Sequence, residues 1–149
     1  MVSKFGNKAN LLREAMLREL SAFEEAGGAH HTGDVQADLE HIVALYQGLL
    51  ERRGRMVPTI LSELPRRPEL RDVVDVPQRV TGSVAVILAR YQHEGVLEPE
   101  PPLQAVASLL APLMVLQVMQ HVQGLEIPRL DVEAHVRRFV RGRAVSAPA

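Results

Sequence analysis

The sequence contains no cysteine and no tryptophan, and aromatic residues make up only 3% of it. Without cysteine, disulfide bonds, thiolate nucleophiles and cysteine-ligated metal centres are excluded. A core with so few aromatic residues is mainly aliphatic, which favours packed helices over a sheet, where β-branched and aromatic residues concentrate. The first residues also lack the basic and then apolar pattern of a secretory signal, so we expect a cytoplasmic protein.

The chain carries almost no net charge. Its 17 basic and 18 acidic residues leave a formal net charge of -1, so no overall field favours nucleic acid or an anionic membrane. The hydrophobic share of 46% over 149 residues is typical of a globular protein, and this length suits one domain with its own core. We therefore expect a single folded domain.

Motifs that carry catalysis are also missing. There is no glycine-rich phosphate loop, no His-Glu pair at zincin spacing and no Gly-x-Ser-x-Gly, so we expect no enzyme and no cofactor. His30 and His31 fall in a glycine-flanked loop with Asp38 and His41 close in sequence. Zinc needs three or four convergent ligands, and adjacent histidines cannot easily join the other two, so we expect solvated histidines and no metal.

Apolar residues recur with a helical period in six segments. The expected helices cover residues 8–26, 34–53, 57–64, 77–94, 103–124 and 132–143. Asn7 and Asp34 are suitable N-caps, and glycines at 27–28 and 95 are suitable stops. Residues 144–149 are expected to form a frayed tail.

The fifth segment, residues 103–124, contains no charged residue and has apolar side chains on all sides. A helix that is apolar all round must be buried all round, which is difficult in one small domain without a partner subunit. The segment is long enough to span a membrane. However, glutamines, a serine and a histidine interrupt it, and no basic cluster or aromatic belt flanks it. We therefore expect no membrane contact.

The first twelve residues resemble a known family. Residues 2–12 read VSKFGNKANLL, which is similar to the motif that closes the DNA-binding headpiece of TetR-family transcriptional regulators. The positions that match the motif are Phe5, Gly6, Asn7, Lys8, Leu11 and Leu12. Val2 departs from it, because the family usually has a phosphate-contacting tyrosine there, and Ala9 replaces a common acidic residue. Further along, RRPELRDVV resembles the connector before a long helix, YQHEGVLEP resembles the turn after it, and residues 131–143 resemble the closing helix.

The resemblance implies an all-α fold, a TetR-type C-terminal bundle of about six helices around a ligand cavity. The last two helices would pair with those of a second subunit as a four-helix bundle. Residues 1–7 would be the exit of the headpiece, residues 8–143 the effector-binding and dimerisation domain, and residues 144–149 a flexible tail. A headpiece has three helices, the third in the major groove. We therefore expect operator binding only with an upstream headpiece, and favour a late start or truncation over a naturally headless protein.

The resemblance also implies sites. A small apolar or amphipathic effector would bind in a mostly apolar pocket with a few polar groups. The predicted ligand-binding residues are Tyr46, Ile60, Ile87, Tyr91, Met114, Gln117, Val118 and His121. The predicted homodimer interface contains Leu109, Leu116, Val136, Phe139 and Val140. Lys8 is the predicted phosphate contact to DNA. For each ligand-binding residue, a place in the ordinary core is the alternative.

Two functions remain open at this point. The first is the ligand-sensing and dimerisation portion of a TetR-family transcriptional regulator, whether repressor or activator. The second is a headless helical dimerisation module that binds neither ligand nor DNA. A closed core without a cavity would favour the second.

Overall fold

The computed structural model describes residues 4–68 and 71–145, apart from the side chains of residues 4–9 and 72. It is 75% helical and has no strand within these ranges, so the predicted all-α fold of six helices is confirmed. The helices are α1 (Lys4–Glu25), α2 (Val35–Arg53), α3 (Met56–Glu63), α4 (Arg71–His93), α5 (Pro102–Gln123) and α6 (Val132–Arg143).

Aspartates cap two of the helices. The backbone N–H of Ala37 donates to Asp34 at the start of α2, and that of Ala134 donates to Asp131 at the start of α6, both at 3.0 Å. Each cap satisfies a donor that the first turn would leave free, which stabilises a helix by about 1 kcal/mol. The prediction for Asp34 is confirmed. The prediction for Asn7 is wrong, because α1 already begins at Lys4.

Glycines in left-handed backbone conformation end α1 and α4. Gly27 has φ +96, and the N–H of Gly28 donates to the carbonyl of Phe23 at 2.8 Å. Gly95 has φ +77, and the N–H of Val96 donates to the carbonyl of Tyr91 at 3.0 Å. Both are Schellman-type ends, in which a side chain at the glycine would be strained. The two predicted stops are confirmed.

The fourth helix begins earlier than the sequence pattern predicts. It starts at Arg71 rather than near Pro77, which lies inside it. Proline there leaves the carbonyl of Val73 without its helical donor. The extra turns bury Val73 and Val76, and this burial offsets the lost hydrogen bond.

The chain after α6 is paired with the turn before α5. Leu97 and Ala144 form an isolated antiparallel bridge, the N–H of Val145 donates to the carbonyl of Val96 at 3.2 Å, and that of Glu98 donates to the carbonyl of Arg143 at 2.7 Å. The predicted frayed tail is therefore wrong for residues 144–145. The remaining four residues lie outside the described ranges.

Two groups of apolar side chains hold the helices together. The larger one packs α2, α4, α5 and α6 and contains the most completely buried residues, including Leu39, Leu88 and Leu109. The smaller one surrounds Val73 and joins α1, α3 and α4. Because the large group is at one end of the helices, we call that end the closed end and the region around α1 and α3 the open end.

Helix α5 connects the two ends. Its first half contributes Leu109, Leu110 and Leu113 to the core, whereas Val115 and Val122 in its second half are 52% and 65% exposed. Among the described helices, α5 alone is long and apolar enough to cross a membrane. Its most apolar stretch has a mean hydropathy of 1.7, and 28% of that stretch is buried. Its packing against α2, α4 and α6 is compatible with a soluble protein.

Candidate functional site

The closed end contains two of the predicted ligand-binding residues, and neither lines the cavities described below. Ile87 belongs to the main core, and Tyr91 is fully buried. The hydroxyl of Tyr91 donates to the buried carboxylate of Asp38 on α2. The packing therefore favours the alternative for these two residues, a place in the ordinary core. A side chain of α2 already supplies the partner that the Tyr91 hydroxyl needs.

The carboxylate of Asp38 also accepts hydrogen bonds from Thr32. The donors are the backbone N–H of Thr32, at 2.8 Å, and the Thr32 hydroxyl, at 2.6 Å. Burial alone would raise the pKa of Asp38, but the hydrogen bonds from Thr32 and Tyr91 outweigh it and hold the pKa below its ordinary value. Conversely, burial and the Asp38 carboxylate raise the pKa of Tyr91. This carboxylate therefore fastens the 26–34 loop to the closed end.

His31 does not lie in solvent as predicted. Its ring stacks on Tyr91 with the ring centroids 4.4 Å apart, and its Nε2 lies 2.5 Å from Oε1 of Glu94. His41 donates instead to the carbonyl of Ala26 at 2.7 Å, and His30 is exposed. No group of three or more metal-ligating side chains converges in residues 4–68 and 71–145.

The open end contains a wide cavity of about 640 Å³. It lies between α1, the α2–α3 corner and the C-terminal end of α5, and we call it the α1 cavity. Its walls are Leu11, Leu12, Ala15, Glu51, Arg52, Arg53, Gly54, Arg55, Met56, Thr59 and His121. One side is therefore aliphatic and the other carries three guanidinium groups.

A narrow apolar slot of about 60 Å³ adjoins the α1 cavity, and Met56 lines both. Its other walls are Met16, Glu19, Leu20, Phe23, Tyr46, Leu49, Val76, Pro77 and Val80. Burial raises the pKa of Tyr46 to about 12. Its hydroxyl has no hydrogen-bond partner among the residues that the structure describes, so it can donate to a molecule in the slot.

Glu19 lies between the slot and the α1 cavity. Its carboxylate accepts from Arg52 at 2.7 Å and from Arg53 at 3.2 Å. The hydrogen bond from Arg52 is the main reason why the pKa of Glu19 is lowered; burial opposes it and Arg53 adds to it. One carboxylate is thus shared by two of the three arginines on the α1 cavity.

His121 forms part of the wall of the α1 cavity, and Gln117 lies directly beside it on α5. The side-chain amide of Gln117 donates to Nε2 of His121 at 2.7 Å. Both side chains pack closely against Gly54. A Cβ at Gly54 would overlap the Gln117 amide and would lie 2.9 Å from His121 Nε2. Beyond this pair, Gln117 lines a separate pocket of about 180 Å³ between α2 and α5. The predicted residues Gln117 and His121 therefore divide two cavities.

The other predicted ligand-binding residues have different positions. Ile60 packs against Val73 in the smaller apolar group. Met114 and Val118 are half-buried on α5, outside the walls of the three cavities described above. Lys8 lies in α1, and its side chain is outside the described residues.

The predicted dimer residues also separate into two groups. Leu109, Val136 and Phe139 are buried within the single chain and offer no surface to a partner, so their assignment to an interface is corrected. Helix α6 packs against α2, and its apolar side chains are covered there. Leu116 and Val140 keep part of their surface accessible.

Several residues of the α1 cavity were not found from the sequence. Arg52 and Arg53 fall at the end of α2, where basic residues are expected in any case, and Glu19 lies 33 positions from Arg52. The sequence signal that was available is the run of three arginines around Gly54 at residues 52–55. Three basic residues in four positions exceed what one helix end requires.

Comparison with family models, curated proteins and solved structures returned no match. The cavity, its charges and the position of α1 therefore carry the functional argument.

Proposed function

We propose that this chain is the effector-sensing and dimerisation portion of a TetR-type transcriptional regulator that works in the cytoplasm and is not an enzyme. Operator DNA would be bound only through a headpiece joined ahead of α1. The small effector would bind at the open end rather than at Tyr91.

One observation carries the proposal. Helix α1 begins with the segment that resembles the exit of a TetR headpiece, and the same helix contributes Leu11, Leu12 and Ala15 to the wall of the α1 cavity. A ligand in that cavity would touch the helix that connects to the headpiece. Its binding would favour one position of α1 over another, which is a population shift that a headpiece can report.

The dimer part of the proposal rests on the second half of α5. Val115 and Val122 are exposed apolar residues there, and the half-buried Leu116 and Val140 belong to the two helices that would face a partner. Covering these side chains would remove apolar surface from water, which is the main driving force for association.

The absence of cysteine gives a direct test. Asn10→Cys creates a single labelling site on an exposed position of α1, and Glu133→Cys provides a matched control on α6. Sedimentation should show a dimer, and spin labels should give one α1-to-α1 distance across it. Ten-carbon probes with different polar ends should shift the distance between the two spin labels at residue 10. The distance between labels at residue 133 should stay unchanged.

The alternative is a helical interaction module without a ligand. The exposed apolar side chains of α5 favour it as well, because a protein partner would cover them equally. A stable dimer that binds none of the probes would support this alternative. A monomer that binds a probe would retain the sensing part of the proposal and remove the dimer part.

A further inference from the structure

The charges around the α1 cavity are not balanced. Arg52, Arg53 and Arg55 all line it. Glu51 also lines it, but Arg129 already donates to that carboxylate at 2.6 Å. Glu19 is shared by Arg52 and Arg53.

Arg55 is exposed and has no carboxylate partner within the described part of the chain. Its side chain is therefore a guanidinium that lines the cavity without a counter-ion among the described residues.

The wall facing the arginines is apolar. Leu11 is 65% exposed although it is a large aliphatic residue. Leu12 and Ala15 of the same helix also line the cavity, as does Met56 at the start of α3. An exposed aliphatic surface beside a concave site is typical of a place where another molecule binds. The cavity therefore presents apolar surface on one side and positive charge on the other.

We infer that the α1 cavity binds an anionic amphiphile, a molecule with an aliphatic chain and a carboxylate head. The chain would lie along Leu11, Leu12 and Met56, and the head would accept from Arg55. Guanidinium and carboxylate form short, charge-assisted and often bidentate hydrogen bonds. This inference names the chemical class of the effector and rests on the sensing function proposed above.

Other chemical classes fit less well. A cationic amphiphile would be repelled by the excess of guanidinium groups. A neutral amphiphile would use only the aliphatic wall and leave Arg55 without a partner. A hydrophilic phosphate compound would leave the aliphatic wall in water.

Calorimetric titration of the whole chain with decanoate, 1-decanol and decylammonium tests the inference. The two ionic probes are kept below their micellar concentrations and 1-decanol below its solubility limit. Decanoate should bind about tenfold more tightly than 1-decanol, because hydrogen bonds to charged groups are among the stronger ones, and decylammonium should bind most weakly. Arg55→Gln should reduce decanoate binding about tenfold and leave 1-decanol unchanged. Arg141→Gln, at an exposed position on α6, is the matched control and should change neither. Of the three probes, only decanoate should bind more weakly when salt is added, because salt screens the attraction between its carboxylate and the arginines.

The outcomes separate the inference from the function on which it rests. If 1-decanol binds as tightly as decanoate, or if Arg55→Gln matches its control, the inference is wrong while sensing at this cavity stands. If none of the three probes binds, the proposed sensing function fails and the inference fails with it. Thermal unfolding of each variant, without probe, confirms that the exposed substitutions leave the fold intact.

Discussion

The closed and open ends of this bundle differ in how their polar groups are satisfied. At the closed end, Asp38 takes donors from Thr32 and Tyr91, and His31 is stacked and paired with Glu94. At the open end, the Tyr46 hydroxyl and the Arg55 guanidinium have no partner among the described residues. A fully satisfied polar network makes a region rigid, whereas unpaired polar groups beside a cavity leave a site for a ligand.

The largest expected change in stability comes from truncating a leucine at the closed end, because side chains are packed more completely there than at the open end. Leu109→Ala removes a fully buried side chain at the closed end and should lower the free energy of unfolding by about 3 kcal/mol. Leu11→Ala at the open end should lower it by less than about 0.5 kcal/mol, because Leu11 is exposed. Urea denaturation measures both. If Leu109→Ala abolished the dimer without changing stability, Leu109 would lie at the interface and not in the core.

The next effect comes from the carboxylate of the closed end. Asp38→Asn turns an acceptor-only group into one that also donates, so at about pH 7 it should destabilise the fold by about 2 kcal/mol. Because the folded pKa of Asp38 lies below its ordinary value of 3.8, ionised Asp38 stabilises the fold above the unfolded pKa. That contribution is lost as the pH falls through the folded pKa.

Denaturation of both proteins at about pH 7 and about pH 3 should therefore show the difference shrinking in acid. Asp75→Asn, exposed on α4, should change stability by less than about 0.5 kcal/mol. A difference for Asp38→Asn that does not depend on pH would mean that its carboxylate does not fasten the loop through charge.

A smaller effect is expected where α5 meets the α2–α3 corner. Gly54→Ala places a Cβ against the Gln117 amide and 2.8 Å from the carbonyl of Leu50, so it should destabilise the fold by about 1 kcal/mol through overpacking. Gly82→Ala, in the interior of α4 with no atom within 4 Å of the added Cβ, should stabilise the fold by about 0.5 kcal/mol. Equal effects of the two substitutions in urea would show that the corner is loosely packed.

The smallest effect on the fold itself is expected on the exposed face of α5. Val115→Glu should leave the helical circular dichroism unchanged, because Val115 is 52% exposed. If a second copy covers this face, sedimentation should show loss of the dimer, since a charge would be buried without a partner. A dimer that survives Val115→Glu would place the interface elsewhere.

The helix pattern could be predicted from the sequence because it depends on local chemistry. Aliphatic periodicity, the aspartate cap at 34 and the glycine stops at 27 and 95 are decided within a few residues of chain. The failures at Asn7 and Pro77 have a different origin. In α4, burial of Val73 by α1 and α3 outweighs the loss of one helical hydrogen bond.

The site could be predicted only in part. Gln117 and His121 are uncharged polar residues on an apolar helix and therefore need partners, and both lie beside cavities. Tyr91 and His31 could not be placed, since their partners, Asp38 and Glu94, are 53 and 63 positions away in the chain. Nothing local reveals a contact over that separation.

The sequence by itself therefore determined an all-helical chain with an aliphatic core and little net charge, because composition and short-range spacing are sufficient for that. Only the tertiary structure decided which polar groups are paired and which remain available. Asp38 satisfies Tyr91 because α2 and α4 contribute to the same core. Among the described residues Arg55 lacks a counter-ion, because the carboxylates at this cavity, Glu19 and Glu51, already face other arginines. Such pairings depend on which helices are neighbours, and local sequence does not specify that.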